Sequence, residues 1–207
     1  MEIHESLKDI AIVDFETTGL KAGFNRVIEV AAVTVHENEL VGEYSTLMNP
    51  GCLIPQDIVN LTGITNEMVV DKPKPEKIMP DLAEFIGNRP IVCHNAPFES
   101  RFFEAEMNLV GIEVDCHFLC TLALARRLVH DVDDHKLRTL TEYFRVPPVR
   151  AHRAMSDVLL TLEVWKELQK LVFKLFKNDP PNLETYLKLM KTPKKKVMDS
   201  MRLEGML

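Results

Sequence analysis

Ile10-Ala11-Ile12-Val13-Asp14-Phe15-Glu16-Thr17-Thr18-Gly19-Leu20-Lys21 runs from four consecutive apolar residues into a pair of acids two positions apart. The apolar part is short, rich in β-branched residues and unbroken by polar ones, the signature of a buried central strand. Side chains two residues apart on a strand project from the same face, so Asp14 and Glu16 stand side by side. Two carboxylates so placed repel each other unless a cation sits between them. Either a strand simply runs out into solvent here, or the pair is half of a site for a hard metal ion. In the second case further carboxylates must arrive from elsewhere in the chain.

Working outward, Lys21 to Arg26 reads as a turn, marked by Gly23 and Asn25. Val27 to Val35 is a second strand, Glu37-Asn38-Glu39 a hairpin turn, and Leu40 to Met48 a third strand, so the chain opens as an antiparallel meander. Asn49-Pro50-Gly51 breaks it, and short helices are expected over 55–63 and 65–69. After the connector Lys72-Pro73-Lys74-Pro75, a helix over about Glu76 to Ile86 places Ile78, Leu82, Phe85 and Ile86 on one side. Pro90-Ile91-Val92-Cys93 is a short buried strand that delivers His94-Asn95-Ala96-Pro97-Phe98-Glu99 into a helix, with Pro97 suited to the first turn. Val114-Asp115-Cys116 reads as an edge strand, Thr121 to Leu128 and Leu137 to Phe144 as helices, and the segment from His152 to about Lys177 as the longest helix. Asn178-Asp179-Pro180-Pro181-Asn182 is the clearest boundary. It divides the chain into a domain over 1–177 and a basic extension over 178–207, with a short helix over Leu183 to Lys191 and an exposed, mobile Thr192-Pro193-Lys194-Lys195-Lys196.

The bulk numbers set limits. A chain of 207 residues with 46% hydrophobic and 27% charged content is one soluble domain with at most an appendage. No apolar run approaches the roughly 20 residues of a membrane helix, and the acidic start Met1-Glu2-Ile3-His4-Glu5 is not a signal peptide, so a cytoplasmic protein is expected. The spacing of Cys52, Cys93, Cys116 and Cys120 suggests neither a zinc site nor a disulfide framework. A net charge of −6 argues against a protein that coats nucleic acid by bulk electrostatics. The charge is uneven: residues 166–207 hold ten Lys/Arg against five Asp/Glu, which leaves the body strongly acidic. An acidic body fits a site that needs cations; the basic end fits phosphate or partner contacts, or simply a solvated helix face.

Two later stretches supply acids. Glu99 falls in the first turn of a helix that leaves a buried strand, and His152-Arg153-Ala154-Met155-Ser156-Asp157 puts an acid near the start of the last core helix, five residues after a histidine. Singly, each has a plain explanation as a helix-dipole partner or a surface residue. Taken together, Asp-x-Glu, then an acid, then His-x4-Asp, in this order, resembles the DEDDh exonuclease superfamily, and within it the proofreading epsilon branch of bacterial DNA polymerase III. The words that carry the resemblance are Asp-Phe-Glu-Thr-Thr-Gly (14–19), Arg-Val-Ile-Glu-Val (26–30), Leu-Thr-Gly-Ile-Thr (61–65), His-Asn-Ala-Pro-Phe-Glu (94–99), Leu-Ala-Arg-Arg-Leu (124–128) and His-Arg-Ala-Met-Ser-Asp (152–157), and it covers about residues 8 to 172.

The resemblance implies a ribonuclease-H-like α/β fold: a mixed five-stranded sheet with an antiparallel three-strand start, the first strand central, and helices on both faces. It implies two Mg²⁺ or Mn²⁺ ions, with Asp14 bridging both, Glu16 and Asp157 on the ion that activates water, Glu99 near the second, and His152 as general base. Carboxylate-only ligation favours these ions over zinc, and a neutral histidine accepts a proton at physiological pH. Thr17, Thr18 and Leu20 are expected to grip the terminal nucleotide, with Leu20 wedged between the last two bases, and His94 and Phe98 to line the same cleft. The implied reaction is stepwise 3′→5′ release of nucleoside 5′-monophosphates from single-stranded ends, DNA favoured, with proofreading or repair as its setting. An RNA-directed enzyme of the same superfamily and a catalytically weakened binding module stay open as alternatives. Implied partners are a polymerase or other protein docked on the C-terminal extension, and a second copy of the chain, as in some members. One departure stands out: the superfamily usually has Asp at the position of Glu99, and the extra methylene carries the carboxylate further out. Another is Cys120-Thr121, where epsilon-like members tend to have Asp-Thr.

Overall fold

The computed structural model describes residues 7–113, 115–149, 153–177 and 180–206. Its framework is a mixed five-stranded sheet in the order β3-β2-β1-β4-β5. Strands β1 (Asp9–Thr17), β2 (Val27–His36) and β3 (Glu39–Leu47) form the antiparallel meander, and β1 is also paired in parallel with β4 (Ile91–Cys93), which pairs in parallel with β5 (Phe118–Cys120). The hairpin between β2 and β3 turns through Glu37 and Asn38, both with positive φ (49° and 69°), the twist that a tight two-residue hairpin requires.

Helices cover both faces of this sheet. They are α1 (Gln56–Thr62), α2 (Asn66–Val69), α3 (Pro75–Ile86), α4 (Ala96–Leu109), α5 (Thr121–Leu128), α6 (Leu137–Phe144), α7 (Ala154–Leu175), α8 (Leu183–Lys191) and α9 (Lys194–Leu203). Residue parity on β1 divides the core in two. Ile10 and Ile12 face Val158, Leu162, Trp165 and the rest of the α5–α7 layer, whereas Ala11, Val13 and Phe15 face α3 and α4 through residues such as Leu82, Phe102 and Phe103. Asp14 and Glu16 share the parity of Ile10 and Ile12, so both acids emerge on the face covered by α7.

Two expectations need correction. The fifth strand lies at Phe118–Cys120, and Asp115 and Cys116, part of the strand expected over 114–116, are not in a strand. Val114 is outside the described residues, Asp115 is exposed, and it is Phe118 and Leu119 that give the strand something to bury: the Phe118 ring meets Phe103 edge-on, and Leu119 is fully enclosed. The lysine-rich stretch expected to be mobile instead opens α9, because Val197 and Met201, one turn apart, both bury against the α5–α7 layer. The α8 helix is fixed likewise: Tyr186 is buried with its ring 4.9 Å from that of Trp165 on α7, and Arg127 on α5 donates from Nε to the Thr192 carbonyl at 2.7 Å.

Candidate active site

The end of β1 is where the acids gather. Asp14 is half-buried, and its carboxyl is pushed well above the ordinary range, first by its removal from water and then by the negative charges of Asp157, Glu16 and Glu29. Glu16 is raised to about 7 by burial and by Asp157 and Glu29, with Arg153 pulling the other way. Asp157, in the first turn of α7, is raised by burial. Glu99 approaches from α4; it is buried, raised by burial and by Asp14, and its Oε2 accepts the Phe15 N–H at 3.1 Å. The added methylene is therefore in use: the longer side chain reaches the backbone of β1 itself. Four carboxylates from three elements thus sense one another across a small volume. As placed, no three His, Cys, Asp or Glu side chains among the described residues close on a single point. The chemistry of the set is all-oxygen and in deficit of positive charge, with Glu99 buried, Asp14 and Glu16 half-buried and Asp157 open to solvent, which fits hard divalent cations and not zinc. His152 lies outside the described residues.

The loop that follows β1 is built, not slack. Thr18 and Arg26 are joined twice, by the Thr18 N–H donating to the Arg26 carbonyl (2.9 Å) and the Arg26 N–H donating to the Thr18 side-chain Oγ1 (3.0 Å). Asn25 accepts from Lys21 N (2.9 Å) and packs so tightly on Gly19 that a β-carbon there would lie 2.7 Å from its Nδ2. Thr17 donates through Oγ1 to the Gly19 carbonyl (2.6 Å), so the side chains of Thr17 and Thr18, both buried, hold the loop's own shape. The result is that Leu20 and Phe24 stand out from a rigid frame, 81% and 80% exposed. Of the two remaining expected cleft residues, His94 is turned to Thr121 (Nδ1 to Oγ1, 2.8 Å), and burial holds its pKa down at about 4. Phe98 is half-buried against Phe102, ring centroids 4.9 Å apart.

Two ionic groups beside the acids had been given no role. Glu29 is the cross-strand partner of Glu16, buried, and bound by the Arg153 guanidinium. Arg26 donates to both carboxylate oxygens of buried Glu106 (2.9 Å each) and to Glu76 (2.8 Å), tying the loop to α4 and α3. The signal for both was in the sequence: a lone acid inside the otherwise uncharged Val27–Val35, and an arginine directly ahead of that strand.

Comparison with known proteins follows the same outline. The Exonuclease family model matches residues 11–165. The DNA polymerase III subunit epsilon of Aquifex aeolicus is 34% identical over 178 residues, 84% of this chain and 88% of that protein. A PolC-type DNA polymerase III from Caldanaerobacter subterraneus is 37% identical over 164 residues, and the chain spans only 12% of that much longer protein. Among solved structures, Exonuclease X in complex with 5′ overhanging duplex DNA superimposes with a TM-score of 0.67 at 26% identity, covering 87% of this chain and 99% of that one. Escherichia coli Exonuclease I with a dT13 oligonucleotide shares the fold, with a TM-score of 0.72 at 19% identity over 82% of this chain and 43% of that one. On a match covering most of its length, carried by the strand and helices that hold the acids, this chain belongs to the exonuclease family.

Proposed function

We propose that this chain is a divalent-metal-dependent 3′→5′ exonuclease that hydrolyses DNA from single-stranded 3′ ends and releases nucleoside 5′-monophosphates. The observation that carries the reading is that Asp14, Glu16 and Asp157 lie near enough at the end of the central strand for the charge of Asp157 to raise the carboxyls of the other two, with Glu99 entering from α4. Family membership supports hydrolysis, and the likeness to an epsilon subunit over most of both chains supports DNA and a role in proofreading or repair.

Asp14, Glu16, Glu99 and Asp157 are the residues to hold two Mg²⁺ or Mn²⁺ ions. Bound, such ions activate a water and stabilise the leaving 3′ oxygen. His152 takes the proton from the attacking water. Leu20 packs between the last two bases, and the backbone beside Thr17 and Thr18 meets the terminal 3′ hydroxyl. His94 and Phe98 line the cleft beside the terminal nucleotide. Contact of this kind reads stacking and a free end, so it is indifferent to sequence.

The division at 177/178 enters here as a proposal too: an exonuclease unit over 1–177, and a basic extension that props α7 and offers lysines to a polymerase or to nucleic acid. Among the described residues no helix is long and apolar enough to cross a membrane, and a cytoplasmic setting is part of the proposal. Self-association, as in some members of the superfamily, is a further part, tested by sedimentation at two protein concentrations.

The deciding experiment is Mg²⁺-dependent release of mononucleotides from a 3′-labelled single strand by wild type and Asp14→Ala, with a matched RNA oligomer alongside. Release by wild type alone, faster on DNA, supports the reading. No release, or equal release by both proteins, overturns it; faster release from RNA moves the substrate.

A further inference from the structure

Phe24 stands apart from every other aromatic residue described. Its ring is 80% exposed, and among the described residues the next is Tyr143 at 45%. A single exposed apolar side chain needs no explanation by itself. The place of this one is what singles it out. It sits at the tip of the loop that leaves β1 directly after Glu16 and Thr17, and Leu20, equally exposed, is on the same loop.

The loop is fixed at its base, its middle and its tip. At the base, Arg26 holds buried Glu106 through two bonds of 2.9 Å, and Glu106 Oε1 also accepts the Val27 N–H at 3.1 Å, so a carboxylate from α4 grips the point where the loop rejoins the sheet. In the middle, the Asn25 side chain spans from Lys21 N to the Thr18 carbonyl. At the tip, the Lys21 carbonyl accepts from both Phe24 N (3.1 Å) and Asn25 N (2.8 Å), which closes a turn. The ends of such a turn are less than about 7 Å apart and one more residue adds about 3.8 Å, so the α-carbons of Leu20 and Phe24 stand within about 11 Å. Phe24 also lies no more than about 11 Å from Val27, the cross-strand partner of Thr17 at the end of the acid-bearing strand.

A flat apolar ring held in place beside an exposed cation, Lys21, has the chemistry of a stacking platform: a base lies on the ring and a phosphate near the ammonium. The ordering that a slack loop would undergo on binding is already complete. A protein partner needs a contiguous patch, whereas this loop offers two separate side chains, which suits bases taken one at a time.

We propose that Phe24 is a base-stacking residue: it takes a base of the single strand on the 5′ side of the two bases assigned to Leu20, so that the site holds at least three nucleotides and not the terminal pair alone. The proposal rests on the exonuclease reading, and its test separates the two.

Binding of a 5′-labelled thymidine octamer and of the matching dinucleotide is measured by fluorescence anisotropy, with Ca²⁺ replacing Mg²⁺, for wild type, Phe24→Ala and Phe24→Tyr. Release of mononucleotides from the octamer in Mg²⁺ is measured for wild type and Asp14→Ala. In Phe24→Ala the Kd for the octamer is expected to rise about 5- to 150-fold, the loss of one stacked base, while the Kd for the dinucleotide moves by less than about twofold. Phe24→Tyr, which keeps a ring, stays within about twofold of wild type on both. An octamer Kd unchanged in Phe24→Ala, an equal loss at both lengths, or a Phe24→Tyr protein as weak as Phe24→Ala overturns the proposal. If the dinucleotide binds too weakly to read, the octamer and Phe24→Tyr decide. If the octamer ignores Phe24 and Phe24→Ala instead lowers the sedimentation coefficient, the proposal is overturned and the ring belongs to an interface between copies. Release by wild type alone, with octamer binding indifferent to Phe24, overturns this proposal only. Binding that depends on Phe24 without release by wild type overturns the exonuclease reading only, and neither binding nor release overturns both.

Discussion

Glu16 on β1 and Glu29 on β2 are direct cross-strand partners, two acids side by side on one face of the sheet. Like charges placed opposite each other destabilise a strand pair. Here one is neutralised by Arg153, while the other is left facing Asp14 and Asp157.

That asymmetry fixes a pH dependence. Glu16 has a folded pKa of about 7 against an ordinary value of 4.5, and Asp14 shifts in the same direction. A carboxyl raised by folding adds stability that is full below its unfolded pKa and is lost as pH rises through the folded one. In EDTA the melting temperature is expected to fall between about pH 5 and about pH 8. Millimolar Mg²⁺ flattens that slope by supplying the missing charge, and Asp14→Asn flattens it without metal. Scanning calorimetry across the window checks all three.

Glu99 is held by the Phe15 N–H, and that bond separates its two roles. Glu99→Asp withdraws the carboxylate and leaves a buried donor unpaired, a loss of about 1–3 kcal/mol in denaturant titration. Glu99→Gln keeps an acceptor for Phe15 but removes the charge, so it melts near wild type while nuclease activity falls by at least about 10². A Glu99→Gln protein with full activity would show that the carboxylate is only a strut.

Arg26 joins two acids of unequal burial: the Glu106 side chain is 2% exposed and that of Glu76 40%. Removing Arg26 strands a buried charge, so Arg26→Ala is expected to cost about 3–5 kcal/mol. Glu76→Ala breaks only the exposed arm, for under about 1 kcal/mol. Urea titrations of the two variants give the ranking.

Leu20 buries almost nothing in the free protein, so Leu20→Ala leaves the melting temperature unchanged. It is expected to weaken binding of a single strand by about 1–3 kcal/mol, read as a roughly 5- to 150-fold rise in Kd with Ca²⁺ replacing Mg²⁺ to suppress cleavage.

Truncation after Lys177 removes Tyr186, Leu189, Val197 and Met201 from the core and uncovers Trp165. At about 1.5–3 kcal/mol per buried side chain, the shortened chain is expected to lose most of its stability. Its tryptophan emission should shift to the red, and its unfolding midpoint should move well below that of the full chain.

Much of this was legible in the sequence because periodicity and punctuation agreed. The apolar runs of β1 and β2 and the Pro97 helix start each have one local solution, and the structure adopts it; the hairpin turn expected over Glu37-Asn38-Glu39 is there but shorter, with Glu39 already in β3. The motif words around Asp14, Glu16, Glu99, His152 and Asp157 carried the resemblance that implied the family. What escaped depended on contacts across the chain. The three-residue strand at Phe118 is chosen by Phe103 and by β4, and α9 by surfaces on α5 and α7. Glu29 takes its balancing charge from Arg153, 124 positions away, a pairing no local pattern announces.

The parity of β1 has a last consequence. Ile12 and Asp14 look one way, Val13 and Phe15 the other, and the two faces belong to different cores. Substitutions along this strand change how well a face is filled. Inserting or deleting a single residue between Ile10 and Asp14 would instead exchange the faces, driving both acids into the α3–α4 interior and Phe15 out against α7. This strand therefore carries a reading frame of its own, open to revision one letter at a time but closed to any change in its count.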